Sequence, residues 1–493
     1  MRGLVASILA VLLAVPAAAQ EIPRLERRGE ATQLTLDGEP FLILGGELGN
    51  SEASSRAAMR PHWEKLRAMH LNTVLAPVSW ELVEPEEGHF NFATVDALLE
   101  DARAHDMRLV LLWFGTWKNS MSSYAPGWVK RDTRRFARTL GADGKPQEII
   151  SAFSREARDA DARAFAALMR HLREADGEHR TVLMVQVENE VGFLPFAKEG
   201  GNGPDLAADE RAMARAYARY VEAVAAAGKR EYPLPMFANG AQGRPGVAPG
   251  GYPSGGPLAH LAEIWREEAP SLDFIAPDIY FPNFIEIAEG YAASGNPLFV
   301  PEANRPADTR VAANALVSIG RFGAIGFSPF SIENAGEAEA ERIAGLYAML
   351  ESIAPHILRA QAEGRIEGFG ETVSFAGIAD DTPAVTELGP ALVTATTIDP
   401  WTAREAQDTS THGALLIWFG GNHYLAAGQG VTFTFAPADG AGRLGLEWVE
   451  EGRYADGVWE PGRRLNGDQT HQGRHVRLPP GEFGVQLIQL YRY

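Results

Sequence analysis

The sequence contains no cysteine in its 493 residues. This absence excludes disulfide bonds, thiolate metal sites and a cysteine nucleophile. Exported proteins are free to form disulfides, so a chain without them has to be stabilised by a large hydrophobic core. The length is sufficient for such a core, either as two or three domains or as one large barrel with an accessory domain.

Basic residues are scarce relative to acidic ones. The chain has 45 Lys and Arg against 64 Asp and Glu, a formal net charge of −19. An acidic surface repels the phosphates of nucleic acids and of anionic lipids. The charge therefore predicts no nucleic-acid partner, and it is compatible with a neutral ligand such as a sugar.

Long hydrophobic runs are missing beyond the first residues of the chain. Met1 and Arg2 precede an apolar run from Leu4 to Val15, and three alanines follow at 17–19. A bilayer span needs roughly 20 helical residues, so this pattern predicts a cleaved signal peptide at 1–19. The alternative is an N-terminal anchor helix. We expect an exported protein, periplasmic or extracellular, with no membrane segment in its mature form.

From about residue 40 to 355, short apolar strands alternate with amphipathic helices, which is the pattern of a parallel sheet. The candidate strands are 41–45, 73–77, 108–114, 182–187, 234–238, 274–279, 298–300 and 324–327. Eight such units predict an α/β fold, a (β/α)8 TIM barrel over residues 20–358 that includes an N-terminal lead-in.

The pattern changes past about Glu363. Helical periodicity disappears, and short alternating segments such as 414–419, 431–435 and 483–490 are separated by turn residues. This predicts a C-terminal antiparallel β-sandwich domain over residues 359–493.

Two of the predicted barrel strands end on glutamates. The fourth runs into Glu188, Asn189 and Glu190, and the seventh runs into Glu302. Strands four and seven face each other across a barrel, so one carboxylate from each can flank a glycosidic bond. Within a strand, Glu188 and Glu190 would point to the same side. Position favours Glu190 as the acid, because it lies nearer the C-terminal mouth, and Glu188 would then sit deeper and brace the site. The alternative for Glu302 is a structural ion pair.

Further residues at the predicted strand ends are candidates for sugar contacts. Asn189 can hydrogen-bond a hydroxyl beside the reacting carbon. Trp80 and Trp117 either form the floor of the sugar pocket or belong to the hydrophobic core. Glu47 and Glu333 either contact a hydroxyl or complete a hydrogen-bond network. The chain has no nucleophile elbow, zinc-binding helix motif or dinucleotide fingerprint, so we expect no metal and no cofactor.

Two segments resemble the signatures of glycoside hydrolase family 35, the retaining clan A β-galactosidases built on (β/α)8 barrels. They are residues 71–92, around the second strand, and residues 185–192, around the fourth. The resemblance covers roughly residues 35–355. It implies that Glu190 is the acid/base and Glu302 the nucleophile, and that Tyr280 hydrogen-bonds the nucleophile.

The chain departs from the commoner members of that family after the third strand. Thr116, Trp117, Lys118 and Asn119 replace the usual Asn-Ala-Glu segment that reads galactose hydroxyls, and Asn119 becomes a candidate for substrate binding. Residues 122–128 and the short β domain resemble a bacterial branch, some members of which trim galactose from plant-wall glycans such as xyloglucan.

The sequence therefore predicts a retaining exo-acting β-galactosidase with a carbohydrate substrate. Its acid, Glu190, should have a raised pKa, because it must stay protonated beside a charged carboxylate. One alternative is a barrel glycosidase for another β-linked sugar, such as glucose, glucosamine or arabinose. Another is a non-catalytic carbohydrate-binding protein. The oligomeric state, including a homo-oligomer, is left open.

Overall fold

The computed structural model describes residues 21–141, 143–194 and 206–493. The predicted signal peptide, residues 1–19, lies outside the described residues. Within the described part of the chain, no helix has the length and apolar character needed to cross a membrane.

Eight parallel strands close into a barrel. They are labelled β1 to β8 in chain order: Ile43–Glu47, Thr73–Ser79, Arg108–Phe114, Val182–Val187, Met236–Ala241, Phe274–Ile279, Val300–Ala303 and Gly326–Pro329. Each predicted strand overlaps one of these, and the prediction of a (β/α)8 barrel is confirmed. Because all eight run the same way, their carboxyl ends meet at one mouth.

Helices surround the barrel and extend between its strands. Their bounds are Arg56–Met59, Trp63–Ala68, Trp80–Val83, Ala93–Ala104, Gly127–Arg131, Arg155–Asp176, Leu206–Glu231, Ala262–Glu268, Phe284–Ala293, Val311–Arg321 and Glu337–Glu363. The helix Arg155–Asp176 shows how the sequence encodes them. The Ser154 side chain caps its start by accepting a hydrogen bond from the Ala157 N–H, and residues 165, 168, 169 and 172 bury one face.

The barrel interior is a packed core. The Phe237 and Phe274 rings stack at 5.1 Å, and Phe299 meets Phe237 edge-on at 5.5 Å. A three-stranded lead-in sheet contributes the fully buried Leu34 to the same cluster. Its strands are Arg24–Arg28, Ala31–Leu36 and Glu39–Phe41. Because these apolar side chains fill the barrel below, only the mouth is available for chemistry.

The C-terminal strands form two packed antiparallel sheets, as predicted. One contains, in spatial order, Ile366–Gly370, Gly413–Gly420, His423–Gln429, Gly484–Arg492, Leu444–Ala455 and Val458–Leu465. The other contains Ala384–Leu388, Ala391–Thr396, Val431–Pro437 and Val476–Leu478. Short hairpins add Arg138–Leu140 with Pro146–Ile150, and Thr372–Val373 with Ala379–Asp380.

The sandwich is fused to the barrel through the outer face of its larger sheet. Leu416 packs between the two sheets, whereas its neighbours Leu415 and Ile417 join the barrel's hydrophobic core. This is the two-residue alternation of a strand that is buried on both faces. Gly368 permits the contact, because a Cβ there would lie 2.5 Å from the Leu316 carbonyl oxygen. The last barrel helix runs to Glu363, past the predicted domain boundary at residue 358.

Candidate active site

Glu190, Asp278 and Glu302 meet at the barrel mouth. Asp278 lies on β6 and pairs in register with Glu302 on β7, whereas Glu190 follows the end of β4. One carboxylate oxygen from each of the three lies within 4.8 Å of the others. All three side chains are buried. The structure therefore brings together the two predicted glutamates and adds Asp278, which was not among the predicted site residues.

Glu302 is held by a tyrosine. The Tyr280 hydroxyl donates a hydrogen bond to Glu302 Oε1, which is the contact that the resemblance implied. The pKa of Tyr280 is raised, first by burial and then by the charge of Glu302, so its hydroxyl stays a donor. Glu302 Oε2 is buried and receives no hydrogen bond from any described residue.

Glu190 occupies a different environment. Its backbone N–H donates to Asn239 Oδ1 at 3.1 Å, and the Asn119 side-chain amide donates to Glu190 Oε2. Burial, followed by the charge of Glu302, raises the pKa of Glu190 to about 7, although Lys118 opposes this rise. A carboxyl group with this pKa can carry a proton at neutral pH, as predicted for the acid.

A fourth carboxyl group completes the cluster. Glu47, at the end of β1, is fully buried, and neither of its oxygens accepts a hydrogen bond from a described residue. Burial raises the pKa of Glu47 and of Asp278 well above the ordinary range, and the charge of Glu302 raises both further. Lys118 lowers both pKa values, and its ammonium lies 5.1 Å from the centre of the Phe114 ring. Protonation of some of these carboxyl groups relieves the repulsion within the cluster.

Asn189 and Asn119 lie next to each other beside Glu190. The Asn119 backbone N–H donates to Asn189 Oδ1 at 3.3 Å. Asn189 Nδ2 is buried and has no hydrogen-bond partner among the described residues. This orphaned donor fits the predicted contact between Asn189 and a substrate hydroxyl, because a buried polar group without a partner is costly.

Glu188 points away from the mouth. Strand β4 ends at Val187, and Glu188 and Glu190 both adopt positive φ, 62° and 46°. The prediction that their side chains share one side is therefore wrong, because it assumed a continuing strand. Glu188 accepts hydrogen bonds from the backbone N–H groups of Thr116 and Trp117 at 3.2 and 2.7 Å. It lies deeper and braces the loop that carries Asn119, as predicted.

A second buried acid, Asp161, supports the same loop. It accepts hydrogen bonds from the Thr116 N–H, the Thr116 hydroxyl and the Trp113 indole at 2.9, 2.6 and 2.8 Å. Burial raises the pKa of both Asp161 and Glu188, and the charge of Asp161 raises the pKa of Glu188 further. The two groups therefore favour sharing a proton beneath the loop.

The structure does not bring Trp80 and Trp117 to the mouth surface. Both side chains are almost fully buried. The Trp80 indole donates to Glu84 at 2.8 Å, and the Trp117 indole donates to the Ile150 carbonyl at 3.1 Å. This placement favours the core alternative for both residues.

Glu333 is used within the protein. One of its oxygens accepts hydrogen bonds from the Ser331 hydroxyl and the Asn334 amide at 3.1 and 2.6 Å, and the other accepts from the Gly49 N–H at 3.2 Å. Of the two candidates at strand ends, Glu47 faces the carboxyl cluster, whereas Glu333 completes a hydrogen-bond network.

Within the described ranges, Glu190, Asp278 and Glu302 are also the only three ligand-type side chains close enough to hold a metal ion. An all-carboxylate set would suit a hard cation. Two of these oxygens already accept hydrogen bonds, Glu302 Oε1 from Tyr280 and Glu190 Oε2 from Asn119. The absence of a metal and a cofactor stays a prediction.

Two protein-family models match parts of this chain. Residues 50–197, which include both signature segments, match the family Glyco_hydro_42, described as "Beta-galactosidase". Residues 343–477 match DUF5597, a domain of unknown function. A curated β-galactosidase from Xanthomonas manihotis is 36% identical over 110 residues, which are 21% of this chain and 18% of the relative. The chain thus spans about a fifth of the length of this relative.

One solved structure shares the fold, and a second aligns with a lower score. Gan42B, a GH42 β-galactosidase from G. stearothermophilus, aligns with a TM-score of 0.50 at 16% identity, covering 68% of this chain and 59% of its own. A β-galactosidase from Rahnella sp. R3 aligns with a TM-score of 0.46 at 14% identity, covering 68% of this chain and 57% of its own.

The family model and the curated relative support the prediction of a glycoside hydrolase of the β-galactosidase class, and the family model corrects its family. The prediction of family 35 is wrong, because the family model that matches the barrel is that of family 42. The two segments lie at the ends of β2 and β4. Two short segments at strand ends did not distinguish the two families.

Proposed function

We propose that this protein is a retaining, exo-acting β-galactosidase that releases terminal β-D-galactosyl residues by double displacement. The observation that carries the proposal is the separation of Glu190 and Glu302, whose nearest oxygens lie within 4.8 Å. Retaining glycosidases hold their two carboxyl groups about 5–5.5 Å apart, whereas inverting enzymes need about 6.5–9.5 Å to admit a water molecule.

In the first step, Glu302 attacks the anomeric carbon. Tyr280 occupies Glu302 Oε1, so the free Oε2 is the attacking atom. Glu190, with a pKa of about 7, gives its proton to the glycosidic oxygen as the carbon–oxygen bond breaks. The leaving group departs as an alcohol, and the sugar remains esterified to Glu302.

In the second step, Glu190 acts as a base. Esterification removes the charge of Glu302, which is the second-largest cause of the raised Glu190 pKa after burial. The pKa of Glu190 falls in the intermediate, so the group stays ionised and can take a proton from water. The water attacks the anomeric carbon, and Glu302 leaves as a carboxylate.

The polar groups around the pair fit a single sugar ring. Asn189 Nδ2 and both Glu47 oxygens lack hydrogen-bond partners among the described residues, and Lys118 is buried beside them. Such groups can donate to and accept from sugar hydroxyls. Their burial closes the inner end of the site, which favours a terminal residue over an internal one.

The natural substrate belongs to the proposal as well. We infer an oligo- or polysaccharide with terminal β-galactosyl groups, including plant-wall glycans such as xyloglucan. The β-galactosidase name of the relative supports the sugar. Residues 1–19, acting as a cleaved signal peptide, would direct export of the enzyme to such substrates. N-terminal sequencing of the secreted protein would test this cleavage.

The test is hydrolysis of p-nitrophenyl β-D-galactoside by the wild type and by Glu302→Ala. The variant should lose at least a thousandfold in kcat, because the attacking atom is gone. Added azide should restore turnover and yield α-galactosyl azide, which shows that the variant is folded. Turnover that survived unchanged in the variant would contradict the nucleophile assignment.

A second candidate is a retaining glycosidase for β-linked glucosamine. Four buried carboxyl groups face a single buried lysine at this mouth, among the residues described. A protonated amino sugar would favour the ionised form of these carboxyl groups and would pair with the charge that they then carry. A panel of aryl β-glycosides, including glucoside, glucosaminide and arabinoside, separates this candidate from the galactosidase.

A further inference from the structure

A hairpin of the C-terminal domain reaches the barrel mouth. It consists of residues 372–380 and is called the mouth hairpin. Its Val373 is buried. Its Phe375 ring meets the Phe281 ring edge-on, with centroids 5.2 Å apart. The β-sandwich therefore contributes side chains to the edge of the catalytic barrel.

This contact lies next to the nucleophile. Phe281 directly follows Tyr280, whose hydroxyl bonds to Glu302. Tyr280 is 41% exposed and meets Phe330 edge-on at 6.2 Å. An aromatic rim thus extends outward from Glu302 through Tyr280 and Phe281 to Phe375.

The mouth hairpin is held in a defined shape. The Ser374 N–H donates to the Ile378 carbonyl at 2.9 Å, and the Gly377 N–H donates to the Ser374 carbonyl at 2.9 Å. Gly377 adopts φ 78°, which suits a tight turn. Glu371, just before the hairpin, accepts a hydrogen bond from the Thr409 hydroxyl at 2.6 Å. A binding surface on this hairpin would be largely pre-formed.

The tip of the hairpin presents apolar surface to solvent. Ile378 is 70% exposed, the largest exposed fraction among the large hydrophobic side chains described. Phe281 and Phe375 are partly buried. Sugar rings have apolar C–H faces that pack against such surfaces, and aromatic side chains supply much contact area at small entropic cost.

The position of this rim on the barrel indicates which part of the substrate it meets. The polar groups that fit the galactosyl hydroxyls come from β1, from the loop after β3 and from the end of β4. Strand β6, which carries the rim, lies across the closed barrel from β2. The glycosidic oxygen must lie beside Glu190, and one Glu190 oxygen lies within 4.8 Å of an oxygen of Asp278 on β6. A leaving group that starts at Glu190 can therefore extend toward β6.

We propose that the mouth hairpin and Phe281 form the subsite for the leaving group, and that its ligand is the second sugar ring of a galactosylated oligosaccharide. This rests on the proposed function. It gives the matched domain of unknown function a role in substrate choice, because residues 372–380 lie within its matched range.

The experiment compares two substrates. Lactose places a glucose unit in the subsite, and β-D-galactosyl fluoride places no sugar there. The variants are Phe375→Ala and Ile378→Ser. The matched control is Val385→Ser, at a side chain that is 59% exposed elsewhere on the sandwich. The readout is the ratio of kcat/KM on lactose to kcat/KM on the fluoride.

We expect Phe375→Ala to lower this ratio about tenfold and Ile378→Ser to lower it about threefold, since each removes packing against the second ring. The control should leave the ratio within twofold. A ratio unchanged in both variants, with the wild type active on both substrates, would overturn the subsite alone. A wild type inactive on both substrates would overturn the proposed function, and the subsite with it.

Discussion

Replacing Glu190 by glutamine should stabilise the protein at alkaline pH while it abolishes turnover of p-nitrophenyl β-D-galactoside. Burial and the charge of Glu302 raise the pKa of Glu190 from its ordinary 4.5 to about 7. The folded protein therefore holds this proton more tightly than the unfolded chain. The resulting contribution to stability is fully present below pH 4.5 and is lost as the pH rises through 7.

The size of the effect follows from that pKa difference. A rise of roughly 2.5 in pKa corresponds to about 3 kcal/mol of folding free energy once the group is ionised in both states. At pH 5 the unfolded carboxyl is mostly ionised and the folded one is protonated, so only about 1 kcal/mol of that loss has developed. The neutral amide of glutamine keeps the shape of Glu190 and does not titrate.

Urea unfolding at pH 5 and pH 8 measures this prediction. The stability of Glu190→Gln minus that of the wild type should grow by about 2–3 kcal/mol between the two pH values. Glu263→Gln is a suitable control, because that side chain is exposed to solvent. The stability of this variant minus that of the wild type should not change between the two pH values. A difference for Glu190→Gln that stayed flat, or fell toward pH 8, would refute the reasoning.

Three further predictions concern the residues that position the pair and join the domains. Tyr280→Phe removes the hydroxyl that donates to Glu302. The kcat on the aryl galactoside should fall about ten- to a hundredfold, because one charge-assisted hydrogen bond is lost. An unchanged kcat would contradict this role. Asn119→Ala removes a hydrogen bond that lowers the pKa of Glu190, so the alkaline limb of the pH–rate profile should move above pH 7. A shift of this limb to lower pH would contradict the effect of Asn119 on Glu190. Gly368→Val places a Cβ against the barrel helix, and thermal unfolding should show a loss of at least about 2 kcal/mol; a retained melting temperature would show that the junction can adjust.

Much of the fold could be predicted because the barrel strands are buried and apolar. Strand β6 illustrates this, since Phe274, Ile275 and Ala276 form a short apolar run with no helical period. Four of the eight strands begin two residues later than predicted, and such small errors at strand ends are common. These differences do not change which glutamates were predicted to lie at the mouth.

The candidate site was only partly predictable. Glu190 and Glu302 are placed by strand ends, which the sequence marks clearly. Asp278 carried a usable signal, because an aspartate inside the apolar strand β6 is unusual unless it serves the site. Asp161 had no such signal. It lies on a helix distant in sequence, and only the folded chain brings it beneath Thr116.

The role of the sandwich could not be read from the sequence either. The sequence predicted a β-sandwich but no contact with the active site, whereas Phe375 of that domain meets the barrel mouth. The contact between Phe375 and Phe281 depends on how the two domains pack, which local patterns do not encode. The same packing buries Leu415 and Ile417 against the barrel, so removal of the domain should expose apolar surface and cause aggregation.

The central claim is hydrolysis by double displacement on Glu302. The most direct test follows the anomeric configuration of the first sugar released from an aryl β-galactoside, by proton NMR, before mutarotation mixes the anomers. Two inversions at the anomeric carbon predict that β-galactose appears first. If α-galactose appears first, the reaction is a single displacement by water, and the assignment of Glu302 as the nucleophile is wrong.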